Sequence, residues 1–94
     1  MKKRQVVVTT DKKGVFFGTI KKQDTEKNTI VLTNARMCIY WPVENHGVLG
    51  LASDGPADGS RITPAVKQIE LNGVTAVMDC TDAAVKEWEV GKWK

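Results

Sequence analysis

The first third of the chain is cut into short β-branched and aromatic runs, spaced too closely for anything simpler than successive antiparallel strands. Gln5 to Thr10 (QVVVTT) is a β-branched run and predicts a strand. Asp11-Lys12-Lys13-Gly14 reads as a turn, and Val15 to Lys21 as the returning strand of a hairpin. Strand side chains alternate, so Phe16 and Phe17 point to opposite faces: one joins the core, the other meets a covering element or a partner. Gly18 suggests a bulge or a close backbone approach. Gln23 to Asn28 is polar and turn-rich, and Thr29 to Thr33 (TIVLT) is a third strand, which makes a β-meander the simplest topology.

Asn34-Ala35 breaks or bulges the chain before a fourth strand, Arg36 to Trp41, ended by Pro42. Along it Met37, Ile39 and Trp41 face one way, and Arg36, Cys38 and Tyr40 the other. Glu44 to Ser53 predicts a short helix with Gly55 and Pro56 beyond its end, although Gly47 and Gly50 weaken it by about 1 kcal/mol each relative to alanine. Ser53 to Ser60 is rich in Gly, Pro, Asp and Ser and reads as a loop, from which Arg61-Ile62-Thr63 leads to Pro64. Val66 to Leu71 alternates as a strand, with a helical turn as the alternative. Asn72-Gly73 between two apolar runs is a strong hairpin signal, making Val74 to Cys80 the return strand. Thr81 is a good N-cap for a helix DAAVKEWEV, with Asp82 in its first turn, Ala84, Val85 and Trp88 on its apolar face, Val90 a further candidate for that face, and Gly91 at its stop. The expectation is one α+β domain over residues 1–94: a mainly antiparallel β-sheet of about six strands, a short middle helix and a C-terminal helix.

Ninety-four residues with 41% hydrophobic and 27% charged side chains make an ordinary small globular domain rather than a disordered chain. So small a domain buries a modest share of its surface, so a homo-oligomer is expected. The net charge of +3 is uneven: Lys2, Lys3, Arg4, Lys12, Lys13, Lys21 and Lys22 stand against Asp11 within residues 1–22. That run suits either a polyanion such as nucleic acid or a lysine-guarded strand edge. Cys38 and Cys80 lie far apart in apolar surroundings and read as free core thiols. One histidine and two cysteines argue against a structural zinc site. The apolar part of the basic start MKKRQVVVTT is three valines long, too short for a signal peptide or a membrane span, which predicts a cytoplasmic location.

No reaction is spelled out. His46 beside Glu44 and Asn45 is the one candidate base, and nothing local activates Cys38. Asp54 and Asp58 lie in a loop, where carboxylates commonly fix turns. Asp58-Gly59-Ser60-Arg61 offers backbone N–H groups, a hydroxyl and a guanidinium to an anion, and it is neither a Walker A loop nor a dinucleotide fingerprint. Tyr40 and Trp41, with Arg36 on the same strand, suit stacking on a base and pairing with phosphate; they suit a core strand equally well. Trp88 is expected to pack the helix on the sheet, and Trp93 to anchor a subunit interface. The candidate ligand-binding residues are therefore Arg36, Tyr40, Trp41, Ser60 and Arg61, with no catalytic residue, metal or cofactor expected.

The strings GVFFG (14–18), NARMCIYW (34–41), GLASDGP (50–56), GSRITPAV (59–66) and GVTAVMDCTDAAVKEWE (73–89) resemble a family of small uncharacterised bacteriophage and prophage proteins. The resemblance covers nearly the whole chain. It implies a phage setting and carries over no catalytic residue. In that setting the residues point to a non-catalytic binder, one that sequesters a nucleotide-derived immune signal of the cyclic-nucleotide or ADP-ribose type in the host cytoplasm. The alternative is a protein-interaction or nucleic-acid-binding accessory protein.

Overall fold

The computed structural model describes residues 4–11, 14–42 and 47–90. Its elements run β1 (Gln5–Thr10), β2 (Val15–Asp24), β3 (Thr29–Tyr40), α1 (Gly47–Ser53), β4 (Arg61–Ile62), β5 (Val66–Asn72), β6 (Val74–Asp79) and α2 (Asp82–Val90). The domain is α+β, with six antiparallel strands and two helices among the described residues. No described helix is long and apolar enough to cross a membrane.

The meander of β1, β2 and β3 forms as the runs predict. Asp24 Oδ1 accepts the N–H groups of Glu26 and Lys27 (3.1 Å each) and so shapes the second turn. The third and fourth expected strands are a single strand. Asn34 takes φ = 50°, and the ladder with β2 slips by one residue across Gly18, between Phe17↔Arg36 and Thr19↔Thr33. This bulge reverses the side-chain parity. Ile30 and Leu32 face one side of the sheet with Ala35, whereas Cys38 reaches the other.

The Asn72-Gly73 hairpin does not form. β5 pairs with β3 (Thr29↔Asn72 to Ala35↔Val66), and β6 pairs with β1 (Val6↔Asp79 to Thr10↔Val74). Gly73 (φ = 65°) is a corner, and Asp11 donates its N–H to the Gly73 carbonyl at 2.8 Å. Two consecutive Cα steps span at most about 7 Å. A ribbon with β5 on one edge and β6 on the other must therefore coil until those edges meet. The result is a small barrel-like roll, closed by one kinked stretch that follows β3 and then β1.

Two apolar clusters result. Inside the roll lie Val6, Val8, Ile30, Leu32, Ala35 and Leu71, with Phe16, Ile20, Ile69, Val74 and Val77 against them. Outside it, α1 and α2 cover Val7, Val15, Phe17, Cys38 and Ile62 with Leu51, Ala52 and Trp88. β1 is thus buried on both faces. Both phenylalanines are packed: Phe16 against the interior cluster, Phe17 stacked on Trp88 with ring centroids 5.0 Å apart.

Thr81 caps α2 as expected, its hydroxyl accepting the Ala84 N–H (3.0 Å) and donating to the Ser53 carbonyl (2.7 Å). Trp88 is fully buried and donates its indole N–H to the Leu51 carbonyl at 2.9 Å. Val90, offered to the apolar face, is instead 66% exposed. α1 ends on Gly55, at φ = 84°, whose N–H bonds to the Gly50 carbonyl (3.1 Å). A Cβ on Gly55 would stand 2.6 Å from Glu87 Cβ and 2.9 Å from the Ala84 carbonyl, so only glycine lets the helices meet this closely. The expected start of α1 at Glu44, His46, the Gly91 stop and Trp93 lie outside the described residues.

Candidate functional site

β3 outruns its neighbours. β2 pairs with it as far as Met37, and beyond that point the partner is β4, through Cys38↔Ile62 and Tyr40↔Arg61. Arg61-Ile62-Thr63, read from sequence as a connection, is therefore the edge strand that frames this end. Thr63 continues the pairing, its N–H bonded to the Met37 carbonyl (2.9 Å) and its hydroxyl to the Met37 N–H (3.0 Å).

Four of the five candidate residues meet here. Tyr40 is 54% exposed and stands directly across the ladder from Arg61, itself exposed. Ser60 precedes Arg61 and is buried, with its hydroxyl oxygen unpaired. Trp41 follows Tyr40 and is half-buried, but on the other side from its expected one. The ladder slips again between Cys38 and Tyr40, and beyond the slip Trp41 packs against the cluster that holds Cys38. Its ring supports this end of the sheet from beneath the helices, while Tyr40 stands out from it.

Arg36 is placed elsewhere. Its Nε donates to the Thr63 carbonyl (2.8 Å), and Nη1 to the carbonyls of Trp88 (2.6 Å) and Glu89 (3.3 Å). These last two are carbonyls at the C-terminal end of α2, where a cation is favoured by the helix dipole and by unsatisfied C=O groups. Partial burial pushes the guanidinium below its ordinary value. Arg36 therefore ties β3, the segment after β4 and α2 into one unit. Its spacing from Tyr40 suggested a shared face; the position of α2, which only the fold reveals, decides what the charge meets.

The thiols are those of a protein core. Burial pushes Cys38 up to about 11, and burial with the neighbouring Asp79 charge pushes Cys80 up to about 12. Both are free and protonated at neutral pH, and Cys38 donates to the Tyr40 carbonyl (3.3 Å). A protonated thiol is a poor nucleophile. No group of three or more His, Cys, Asp or Glu side chains suited to a metal ion occurs among the described residues.

Sequence reasoning missed the apolar surroundings. Ile39 is 45% exposed beside Tyr40, and Val66 is 49% exposed opposite Ala35 on the same strand. Ile39 was placed on a face but not at a surface. The proximity of Pro42, which ends the strand, was the available sign that its side chain would lack neighbours.

No curated protein and no solved structure matches this chain. A family model does, over residues 3–88, and the chain belongs to that family, a domain of unknown function designated DUF6948.

Proposed function

We propose that this family member is a non-catalytic binding protein whose contact surface is the exposed end of β3 and β4. Its ligand is a nucleotide-like anion of the cyclic-nucleotide or ADP-ribose class. In the bacteriophage or prophage setting implied by the sequence resemblance, the protein sequesters such a molecule as a host immune signal. The observation that carries this reading is the pair Tyr40 and Arg61, exposed and directly opposed on adjacent strands. An aromatic face beside a guanidinium offers stacking to a base and a two-pronged donor to phosphate. Trp41 holds the platform, and Arg36 fixes the segment through Thr63 that follows Arg61. The two protonated thiols fit binding without turnover.

A second reading has its own observation. Ile39, Tyr40 and Val66 leave apolar side chains in water around the same edge, as a protein-binding surface would. Calorimetric titration with ADP-ribose and with a cyclic dinucleotide separates the two. Saturable binding, weakened roughly 10- to 100-fold by Arg61→Ala (a lost charge-assisted hydrogen bond is worth about 1.5–3 kcal/mol), with the ligand recovered intact on heating, supports sequestration. Binding of neither probe defeats the nucleotide reading and leaves the apolar one. Tyr40→Ala is the better aromatic test than Trp41→Ala, because Trp41 also supports the core.

A further inference from the structure

Exposed strand edges invite pairing, and folded proteins shield them with lysine, proline, bulges or covering elements. Most of this sheet follows that rule. The outer run along β3 carries Pro64, Lys67 and Glu70, and the overhanging end of β2 carries Lys21 and Lys22. β6 does not. It ends the strand order and reads VTAVMD, without lysine, arginine or proline. Its one charge, Asp79, is already paired with Arg4 at 2.5 Å.

The backbone of β6 can be followed group by group. Cys80 donates its N–H to Gln5, and Asp11 donates to Gly73. Hydrogen bonds alternate along an antiparallel pair. Ala76 and Met78, opposite Thr9 and Val7, therefore turn their N–H and C=O groups towards β1, while Val77 and Asp79 turn theirs outward. Among the described residues no strand meets those outward groups. Cover on this side begins only past the strand, where Thr81 donates its N–H to the Ala52 carbonyl. The side chains agree: Val6, Val7 and Val8 of β1 are fully buried, whereas Val74, Ala76, Val77 and Met78 are half-buried.

We propose that this edge is a homodimer interface, in which β6 pairs antiparallel with β6 of a second copy about a two-fold axis at Val77. The outward groups fix the register, since residues with outward bonds must face one another. Val77 then meets its own counterpart, Ala76 meets Met78, small against large, and Asp79 meets Thr75. A second copy fits because this register brings no like charges together. The acid faces a hydroxyl donor, and the two Asp79 carboxylates stand four residues apart, roughly 13 Å, beyond the screening length of about 8 Å at physiological salt. The interface closes on itself, so it ends at two chains. It adds to the functional reading without resting on it, because it uses only β6, whereas Tyr40 and Arg61 lie on β3 and β4.

The test is amide hydrogen exchange of the full chain, with sedimentation equilibrium, at two protein concentrations about a hundredfold apart. The expected result is a shift from one chain mass to two, with protection gained at the Val77 and Asp79 amides. Thr75→Lys, which puts a charge on the edge, raises the dimer dissociation constant about tenfold or more, a loss of about 1.4 kcal/mol. Thr9→Val removes the same Thr9–Thr75 hydroxyl contact (2.7 Å) and leaves the dimer intact. A single-chain mass throughout overturns the proposal. So does a Val77 amide that exchanges freely at both concentrations, or a Thr75→Lys protein that dimerises like the parent. The exchange experiment on the unaltered chain decides even where a variant fails to fold.

Discussion

Arg36→Ala separates a structural role from a ligand-binding one. In the folded chain the guanidinium makes close bonds to the carbonyls of Thr63 (2.8 Å) and Trp88 (2.6 Å) and a longer one to Glu89. A hydrogen bond with a charged donor contributes about 1.5–3 kcal/mol, and a cation at a helix C-terminus about 0.3–1 kcal/mol at an exposed site, up to about 2 when partly buried. The contributions overlap, since the same donors serve both, and the site is half-buried, so water can take over part of the role. The expected loss is about 2–3 kcal/mol, a large part of the 5–15 kcal/mol that keeps a typical domain folded. At about 4–8 °C per kcal/mol for a domain of this size, the melting temperature falls by roughly 10–20 °C. Urea denaturation followed by circular dichroism gives the free energy directly. Arg61→Ala is the matched control: it removes the same charge from an exposed position and changes stability by no more than about 0.5 kcal/mol. Arg36→Lys keeps the charge without the fork and falls between the two. If Arg36→Ala were as stable as Arg61→Ala, the clamp would not exist and Arg36 would return to the set of ligand contacts.

Two further outcomes follow from the packing. Gly55→Ala destabilises the protein by at least about 2 kcal/mol, because a non-glycine residue at φ = 84° is strained by itself and its Cβ meets the Ala84 carbonyl and Glu87 Cβ of α2; an unchanged urea midpoint would mean that the seam between the helices is loose. For the cysteines, folded values of about 11 and about 12 against 9.0 for a free thiol mean that the folded chain keeps protons which the unfolded chain releases. Their contribution is complete below pH 9 and is lost as pH rises from 9 towards 11–12, so stability falls across that window. Thiolate absorbance near neutral pH in the native protein would contradict it.

What could be read from residues alone was what local chemistry decides. The β-branched runs placed β1, β2 and the start of β3, and Thr81 placed the N-terminus of α2, because propensity and capping act within a few residues. Asn34 and Gly18 were visible as a disturbance, but whether it would split a strand or bend one depends on the partner opposite. Asn72-Gly73 misled for the same reason. A glycine at positive φ serves a tight turn or a corner equally well, and β3 and β1, tens of residues away in sequence, supply the pairing that selects the corner. The candidate site was legible in part. Tyr40, Trp41, Ser60 and Arg61 converge because β4 pairs with the end of β3. The fate of Arg36 was hidden, since its partners are carbonyls of a helix 52 residues further along the chain.

The closure of the sheet at Gly73 sets the order in which the molecule can assemble. β1 leaves the ribosome before the strands it pairs with and is deeply enclosed, yet its second neighbour is the stretch from Val74 to Asp79. At roughly 5–20 residues per second of synthesis, the β1–β2 hairpin waits several seconds with three valines uncovered. Ladders between such distant segments form slowly once the chain is free. The nascent β1 is therefore where a chaperone would meet this protein, and a chain cut before Val74 would leave β1 without its second neighbour, prone to aggregate rather than a smaller folded domain.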